Sequence, residues 1–384
     1  MKKERLLEFD ILRGLAFIFI VIQHTLGGFS FRDDITTNGL FISKFIYTIA
    51  KIATPLFVCL TGISLLYTYY DKFNAKDFYV KKLKFLVLPL VLWSLLIMYN
   101  DDKSFNYDTA LIIFSGDAQF HLWYMGMILR VYLYFPLILF LTRIINSKNH
   151  YIKILFFLFF AFCYLLLLNN YGILDKVTNF LFTNPTESQQ RLVNITPLFY
   201  YFYFVIGAYI ILNYKIFKEF ILKYKYAIGI VYFITLIYYY YIELSDQIGN
   251  PFPYIKSSNI TSVFYNSISI LFFYIVAYYI TTKLKYAFNI IKFISKYSFP
   301  AYLIHILVIN RLTYYVPTNQ YLGSPIKYFL LAVTISISIC FLLNYLPYSE
   351  YLIGNKSKFN LKKLIEIFKK LNPISIKDKI YFPK

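Results

Sequence analysis

Charge is scarce in this chain of 384 residues: Asp, Glu, Lys and Arg together make up 15%. Ordinary soluble domains carry roughly 25%. The deficit falls on the carboxylates, 19 against 39 Lys and Arg, and the long apolar stretches hold almost none of them. That excludes a carboxylate-rich metal cluster and argues against a proton-coupled transporter, which ordinarily carries a carboxylate at mid-depth. Cysteine is nearly absent. Cys59, Cys163 and Cys340 lie in apolar surroundings without CxxC spacing, so neither a disulfide framework nor a zinc site is indicated. No GxxxxGK[ST] loop, GxSxG elbow or HExxH helix occurs. ATP-driven transport within this chain and the hydrolase chemistries of those motifs find no support.

Apolar mass fills the space instead. Hydrophobic residues reach 59%, mean hydropathy is +0.56, and there are 41 Tyr and 41 Phe. A soluble fold of this length has too little interior for so many large side chains, and disorder is excluded for the same reason. The chain reads as an integral membrane protein. Apolar stretches lie near 11–31, 45–70, 85–100, 119–142, 151–169, 196–213, 225–243, 260–282, 298–316 and 325–346. At roughly 20 residues per crossing they predict about ten transmembrane helices. The alternating segments of a membrane barrel are absent. The expected fold class is all-α, a polytopic membrane helix bundle.

A net charge of +20 suggests a nucleic-acid partner until its distribution is read. With the N-terminus in the cytoplasm, 28 of the 39 basic residues fall on cytoplasmic segments and 8 on outer ones, while Arg13, Arg130 and Arg311 stay within spans. This positive-inside bias predicts that both termini are cytoplasmic. The first span lacks a small-residue cleavage site, and Glu4, Glu8 and Asp10 interrupt its basic flank, so it is expected to be retained. Residues 1–346 form the membrane region and 347–384 a basic amphipathic cytoplasmic tail. In that tail Leu361, Leu364, Ile365, Phe368 and Leu371 share one helical face with lysines opposite, as in a helix lying on an anionic leaflet. The glycosylation sequons at Asn194, Asn259 and Asn355 are what chance supplies in an Asn-rich chain.

Ionisable groups within spans are costly and mark functional sites by default. Arg13 and His24 form the sharpest pair. Eleven residues is about three helical turns, which leaves the two on one face with a rise of roughly 16 Å. Arg13 then lies near the cytoplasmic headgroups and His24 near mid-membrane. Asp10, one turn before Arg13, either caps the helix or pairs with it. His24 is either a polar contact satisfied by a neighbouring helix or a general base, because an ordinary imidazole titrates near pH 6.5. Lys81, Lys82 and Lys84 at the entrance to the third span are topology determinants or a docking site for a phosphorylated donor. His121-Leu122-Trp123-Tyr124 opens the fourth span on the outer side, where Trp and Tyr suit the aromatic belt. His121 there is in reach of a polar acceptor, and Arg130, nine residues on, falls on the opposite face. His305, in the inner third of the ninth stretch, is a packed polar contact or lines a site. Pro55, Thr61, Gly62 and Ser64 interrupt the second span, which favours close helix packing and a bent, cavity-lining helix.

Phe9-Asp10-Ile11-Leu12-Arg13-Gly14-Leu15-Ala16, ending at His24, resembles the first span of the family 3 membrane acyltransferases, whose hallmark is Arg or Lys, ten residues, then His. Further stretches line up in order over about 1–346: Pro55-Leu56-Phe57 through Thr61-Gly62, Lys82-Leu83-Lys84 with Pro89 and Trp93, His121 to Tyr124, and Ser298 through Tyr302 to His305. Two departures stand out. Lysine occupies the basic loop where the family often has arginine, so bidentate phosphate contacts are lost. Thr61-Gly62 stands where Ser-Gly is common. The extracytoplasmic hydrolase-like domain of several members finds no counterpart in these residues.

The resemblance implies an O-acyltransferase of the bacterial cytoplasmic membrane. It would move an acyl group, commonly acetyl, from cytoplasmic acyl-CoA to a hydroxyl of a cell-surface or lipid-linked carbohydrate. It implies His24 and Arg13 as catalytic residues, Arg13, Lys82 and Lys84 as the donor's phosphate contacts, and His121, Trp123, Tyr302 and His305 as sugar contacts. No resident cofactor, metal or nucleic acid is expected; the partners are acyl-CoA, a glycan and membrane lipids. The resemblance extends to a subgroup named for export of surface poly-N-acetylglucosamine. The alternative expectations are therefore an export component and a structural subunit of a polysaccharide synthase complex.

Overall fold

A computed structural model describes residues 4–103, 105, 108–170, 172–247 and 259–360, and every regular element among them is helical. Lipid offers no partner for backbone N–H and C=O groups, so an apolar chain closes those bonds within each segment. Nine helical segments among the described residues are long and apolar enough to cross a bilayer. They follow the expected stretches in order.

Helix α1 (Leu7–Ile22) runs on through a π turn at Gln23–Gly27. Helices α2 (Thr37–Ala50) and α3 (Ala53–Tyr69) form one apolar segment broken at Lys51 and Ile52. The break has a local cause: Pro55 has no N–H to return to the Lys51 carbonyl four residues earlier. The bend expected within the second span is thus a helix break at its start. Next come α4 (Ala75–Lys82), a π turn at Leu83–Val87 and α5 (Leu88–Asn100), which make the third crossing. Short α6 (Thr109–Ser115) precedes α7 (Trp123–Asn146) and α8 (His150–Leu168). Two short helices, α9 (Ile173–Leu181) and α10 (Glu187–Asn194), lead into α11 (Tyr201–Leu212). The chain continues through α12 (Tyr214–Lys223), α13 (Lys225–Gln247), α14 (Asn259–Lys283), α15 (Lys285–Tyr315), α16 (Gly323–Leu343) and α17 (Glu350–Ile353). Helix α15 accounts for the remaining expected stretch. At 31 residues it is long enough to cross, although His305, Asn310 and Arg311 dilute its apolarity.

Helices α1, α3, α7, α11 and α15 position the site. Gly62 and Gly207 let α3 and α11 touch backbone to backbone. A Cβ on Gly207 would stand 2.2 Å from the Cys59 carbonyl oxygen, and one on Gly62 2.7 Å from that of Phe204. Small residues at such a seam gain dispersion contact that bulkier ones would forbid.

The costly charges are tied down. Arg130 donates to the carbonyls of Leu192, at 2.8 Å, and of Ile195, where α10 ends. A cation suits the exposed carbonyls of a helix C-terminus, so this in-span arginine is a structural tie. Arg311 donates to Asn100 Oδ1. Glu243 on α13 lies 2.5 Å from Lys51 and 3.7 Å from Lys44, joining α13 to α2. Asp10 accepts from both Arg5, at 2.5 Å, and Arg13, at 3.2 Å.

The start of the tail is docked on the bundle. Ile353 is fully buried, and Trp93 Nε1 donates to the Leu352 carbonyl at 2.9 Å. Asn355 donates to the Lys296 carbonyl on α15, close to Ile291 and Ser295, which pack against Gly14 of α1. Both ends of the described chain therefore lie at one end of the bundle. The amphipathic segment expected at 361–371 lies outside the described residues.

Candidate functional site

Three of the four histidines meet. His24 lies on the π turn that ends α1, His121 on the 3-10 turn Phe120–Leu122 just before α7, and His305 on α15. Ring centroids are 4.8 Å apart for His121 and His305, 5.3 Å for His24 and His305, and 6.5 Å for His24 and His121. π turns widen the helix locally and recur at functional sites. Among the described residues no group of side chains is arranged to hold a metal ion.

His305 has no exposed surface, and its Nδ1 lies 2.7 Å from the Tyr302 carbonyl oxygen. A carbonyl only accepts, so Nδ1 carries the proton and Nε2 offers a lone pair. Among the described residues that Nε2 has no hydrogen-bond partner, and neither does either ring nitrogen of the buried His121. Buried polar atoms are ordinarily satisfied. Three orphaned nitrogens in one cluster mark a place where a polar ligand atom fits. His24 is half-buried, with its ring edge against Phe120 at 5.2 Å.

Toward the other end of α1, Arg13 lines a cavity of about 290 Å³ with Phe57, Thr61, Ser64, Lys82 and Tyr132. Arg13 also donates to Ser64 Oγ at 3.3 Å. Lys82 Nζ sits 4.0 Å above the Tyr132 ring. Thr61 and Ser64, on the span expected to pack closely and to line a cavity, supply hydroxyls to this one. Two cations thus face one concave space, an arrangement able to hold an anionic group.

An aromatic layer separates this cavity from the histidines. Phe57 meets Tyr124 at 5.7 Å and Tyr302 at 6.4 Å, and Tyr302 meets His121 at 5.5 Å. The Tyr124 hydroxyl stands 3.5 Å from Thr61 Oγ1 on the cavity side. The arrangement is a cationic cavity and an imidazole cluster on two sides of one septum.

A family model described as an acyltransferase domain matches residues 6–345. The chain belongs to acyltransferase family 3. The match takes in Arg13, Lys82 and all three clustered histidines, and the apolar helices make the chain a multi-pass membrane protein. Similar curated proteins include the "probable poly-beta-1,6-N-acetyl-D-glucosamine export protein" of Staphylococcus aureus strain MSSA476. It is 25% identical over 352 residues, covering 88% of this chain and 92% of the relative. The Staphylococcus epidermidis protein of the same name is 26% identical over 349 residues, covering 88% and 90%. No solved structure gives a significant match.

Within this acyltransferase family chain, the site residues read from the sequence sort into three groups. His24, His121 and His305 come together, but not at the three separate depths assigned to them. Helix α15 starts at Lys285, well before the apolar stretch that suggested position 298, so His305 lies two-thirds of the way along it. Helix α1 starts at Leu7, which puts His24 about 26 Å along at 1.5 Å per residue, near the far end rather than the middle. Arg13 and Lys82 share a cavity. Lys84 does not join them: it pairs with Glu350 at 3.3 Å and lies over the Tyr351 ring. Residues two apart on a helix do not face each other.

Tyr302 donates its hydroxyl to the His121 carbonyl, so it holds the turn rather than offering that group to a sugar. Trp123 lines a separate cavity of about 710 Å³. Sequence reasoning missed Phe57 and Tyr124 in the septum and Asn266 in the large cavity. Asn266 left a signal, being a lone amide deep in the apolar stretch 260–282.

Proposed function

We propose that the chain transfers an acyl group, acetyl in the first instance, from cytoplasmic acyl-CoA to a hydroxyl of a poly-N-acetylglucosamine-type glycan. The observation that carries this reading is the convergence of His24, His121 and His305 next to a septum backed by the Arg13 and Lys82 cavity. In this reading the donor's phosphates bind Arg13 and Lys82, with Arg13 held by Asp10 and Ser64. The pantetheine arm passes the septum and brings the thioester to the imidazoles. His24, the one of the three that is only half-buried, takes the proton from the acceptor hydroxyl as its oxygen attacks the thioester carbonyl. The thiolate leaves on CoA and recovers a proton. A positioned base of this kind contributes typically 10²–10⁴-fold. The aromatic layer and the buried His121 and His305 keep water from the thioester.

Both termini are cytoplasmic in this reading, which the basic bias of the sequence and the common end of the bundle shared by residues near 5 and 355 support. The test is purified protein in liposomes with labelled acetyl-CoA and a glycan extract, wild type beside His24→Ala. Label on carbohydrate with wild type alone supports the reading. No transfer with acetyl-CoA or a panel of other acyl-CoAs overturns it. The names of the relatives favour a second reading, export of the same glycan. Under that reading, cells carrying His24→Gln keep their surface polymer.

A further inference from the structure

Beside the histidine cluster lies the largest of the described cavities, about 710 Å³, which the sequence did not anticipate. It opens between the ends of the helices that carry the Arg13 cavity. On α1 the two cavities are lined by Gln23 and Arg13, on α3 by Pro55 and Ser64, and on α7 by Trp123 and Tyr132. They therefore line successive stretches of the same three helices, with Phe57 of the aromatic layer just after the Pro55 end. Gln23 directly precedes His24, and Trp123 follows the turn that carries His121.

The lining joins aromatic faces to amide and hydroxyl edges, with Trp123, Tyr200, Tyr203 and Tyr239 on the walls. A pyranose ring is built in the complementary way, apolar on its C–H faces and polar at its rim. Asn266 is the decisive group. It is 9% exposed, its Nδ2 donates to the Tyr203 hydroxyl at 3.1 Å, and its Oδ1 has no partner among the described residues. A buried amide oxygen held in this way asks for a donor from the ligand. Of the charged groups on the wall, Lys51 is paired with Glu243 at 2.5 Å, whereas Asp175 accepts only from the neutral Gln190 amide at 3.2 Å and keeps its negative charge, which opposes a polyanion.

We propose that this cavity binds an uncharged acetamido-sugar chain, with an acetamido N–H or a hydroxyl donated to Asn266 Oδ1 and a pyranose face against Trp123. The sugar's role as acceptor rests on the acyl-transfer reading; occupancy of the cavity does not.

The test uses the full chain in detergent with Trp93→Phe, which leaves Trp123 as the sole tryptophan. The probes are tetramers of β-1,6-linked N-acetylglucosamine, of the de-N-acetylated sugar and of hyaluronate. The expected result is saturable change in Trp123 emission with the first probe and at least tenfold weaker binding of the polyanion. Asn266→Leu weakens the first probe about tenfold or more, and Asn266→Ser, a smaller change that keeps an acceptor, weakens it less. His150→Gln, at an exposed histidine that does not line the cavity, leaves binding unchanged. No saturable change with any probe, equal binding of hyaluronate, or unaltered affinity in a folded Asn266→Leu protein overturns the inference. Binding that survives while acyl transfer is never seen leaves this site standing and removes the acyltransferase reading alone.

Discussion

Lys82 and Lys84 differ by two positions and should differ sharply in what they do. Lys82 Nζ lies over Tyr132 in the cavity that also holds Arg13, whereas Lys84 is turned to Glu350. If the donor's phosphates occupy that cavity, replacing Lys82 with Ala removes a charge-assisted hydrogen bond worth about 1.5–3 kcal/mol. That corresponds to roughly a 10–150-fold loss of affinity. Lys82→Arg keeps the charge and should recover most of it. Lys84→Ala removes a half-buried pair outside the cavity and should leave donor affinity within about twofold. The assay is direct binding of CoA and of adenosine 3′,5′-bisphosphate, its phosphate-bearing fragment, to purified protein. Measuring the fragment separates phosphate contacts from those to the pantetheine arm. Equal losses for Lys82→Ala and Lys84→Ala, or no loss for Lys82→Ala, would refute the assignment of this cavity to the donor.

Three further outcomes follow from packing and charge. Gly207→Ala drives a methyl group into the Cys59 carbonyl and should cost about 1–3 kcal/mol; with Cys163 and Cys340 changed to Ser, it should also speed maleimide labelling of the buried Cys59. Glu243→Gln strips the shared partner from Lys44 and Lys51, at a cost of about 3–5 kcal/mol, or roughly 4–6 °C in melting temperature for a chain of this length; Lys51→Met in the same protein should restore part of it. Asp34 accepts from Arg32 at 2.8 Å, which holds its carboxyl below the usual range, so the pair persists at neutral pH and is lost only as pH falls through that lowered value. Amide exchange around 30–36, divided by its intrinsic rate at each pH, should then accelerate only below the usual Asp value of about 3.9 and not between pH 5 and 7.

Much of this molecule was legible before any coordinates. Every apolar stretch became a helix because length and composition alone decide that in lipid. The spacing of Arg13 and His24 marked the first span, and Asp10 proved to pair with Arg13 as one of its two expected roles. The meeting of the histidines was not legible. His121 and His305 reach His24 only through packing of α1, α7 and α15, and no local pattern encodes such contacts. The depth of His305 was misjudged because Lys292 and Lys296 interrupt the apolar pattern and hide the true start of α15. Lys84 was misassigned because the phase of a helix through the π turn at Leu83–Val87 cannot be counted from sequence. The large cavity escaped notice because its walls come from loops and helices far apart in the chain.

The central claim is that the histidine cluster performs acyl transfer, and the fourth histidine provides an internal control. His150 begins α8, exposed and apart from the cluster. The measurement is single-turnover transfer of labelled acetyl from acetyl-CoA to glycan, comparing wild type with His24→Gln and His150→Gln at matched folding. The account predicts a loss of about 10²-fold or more for His24→Gln and full activity for His150→Gln. Transfer by His24→Gln at the wild-type rate would contradict it.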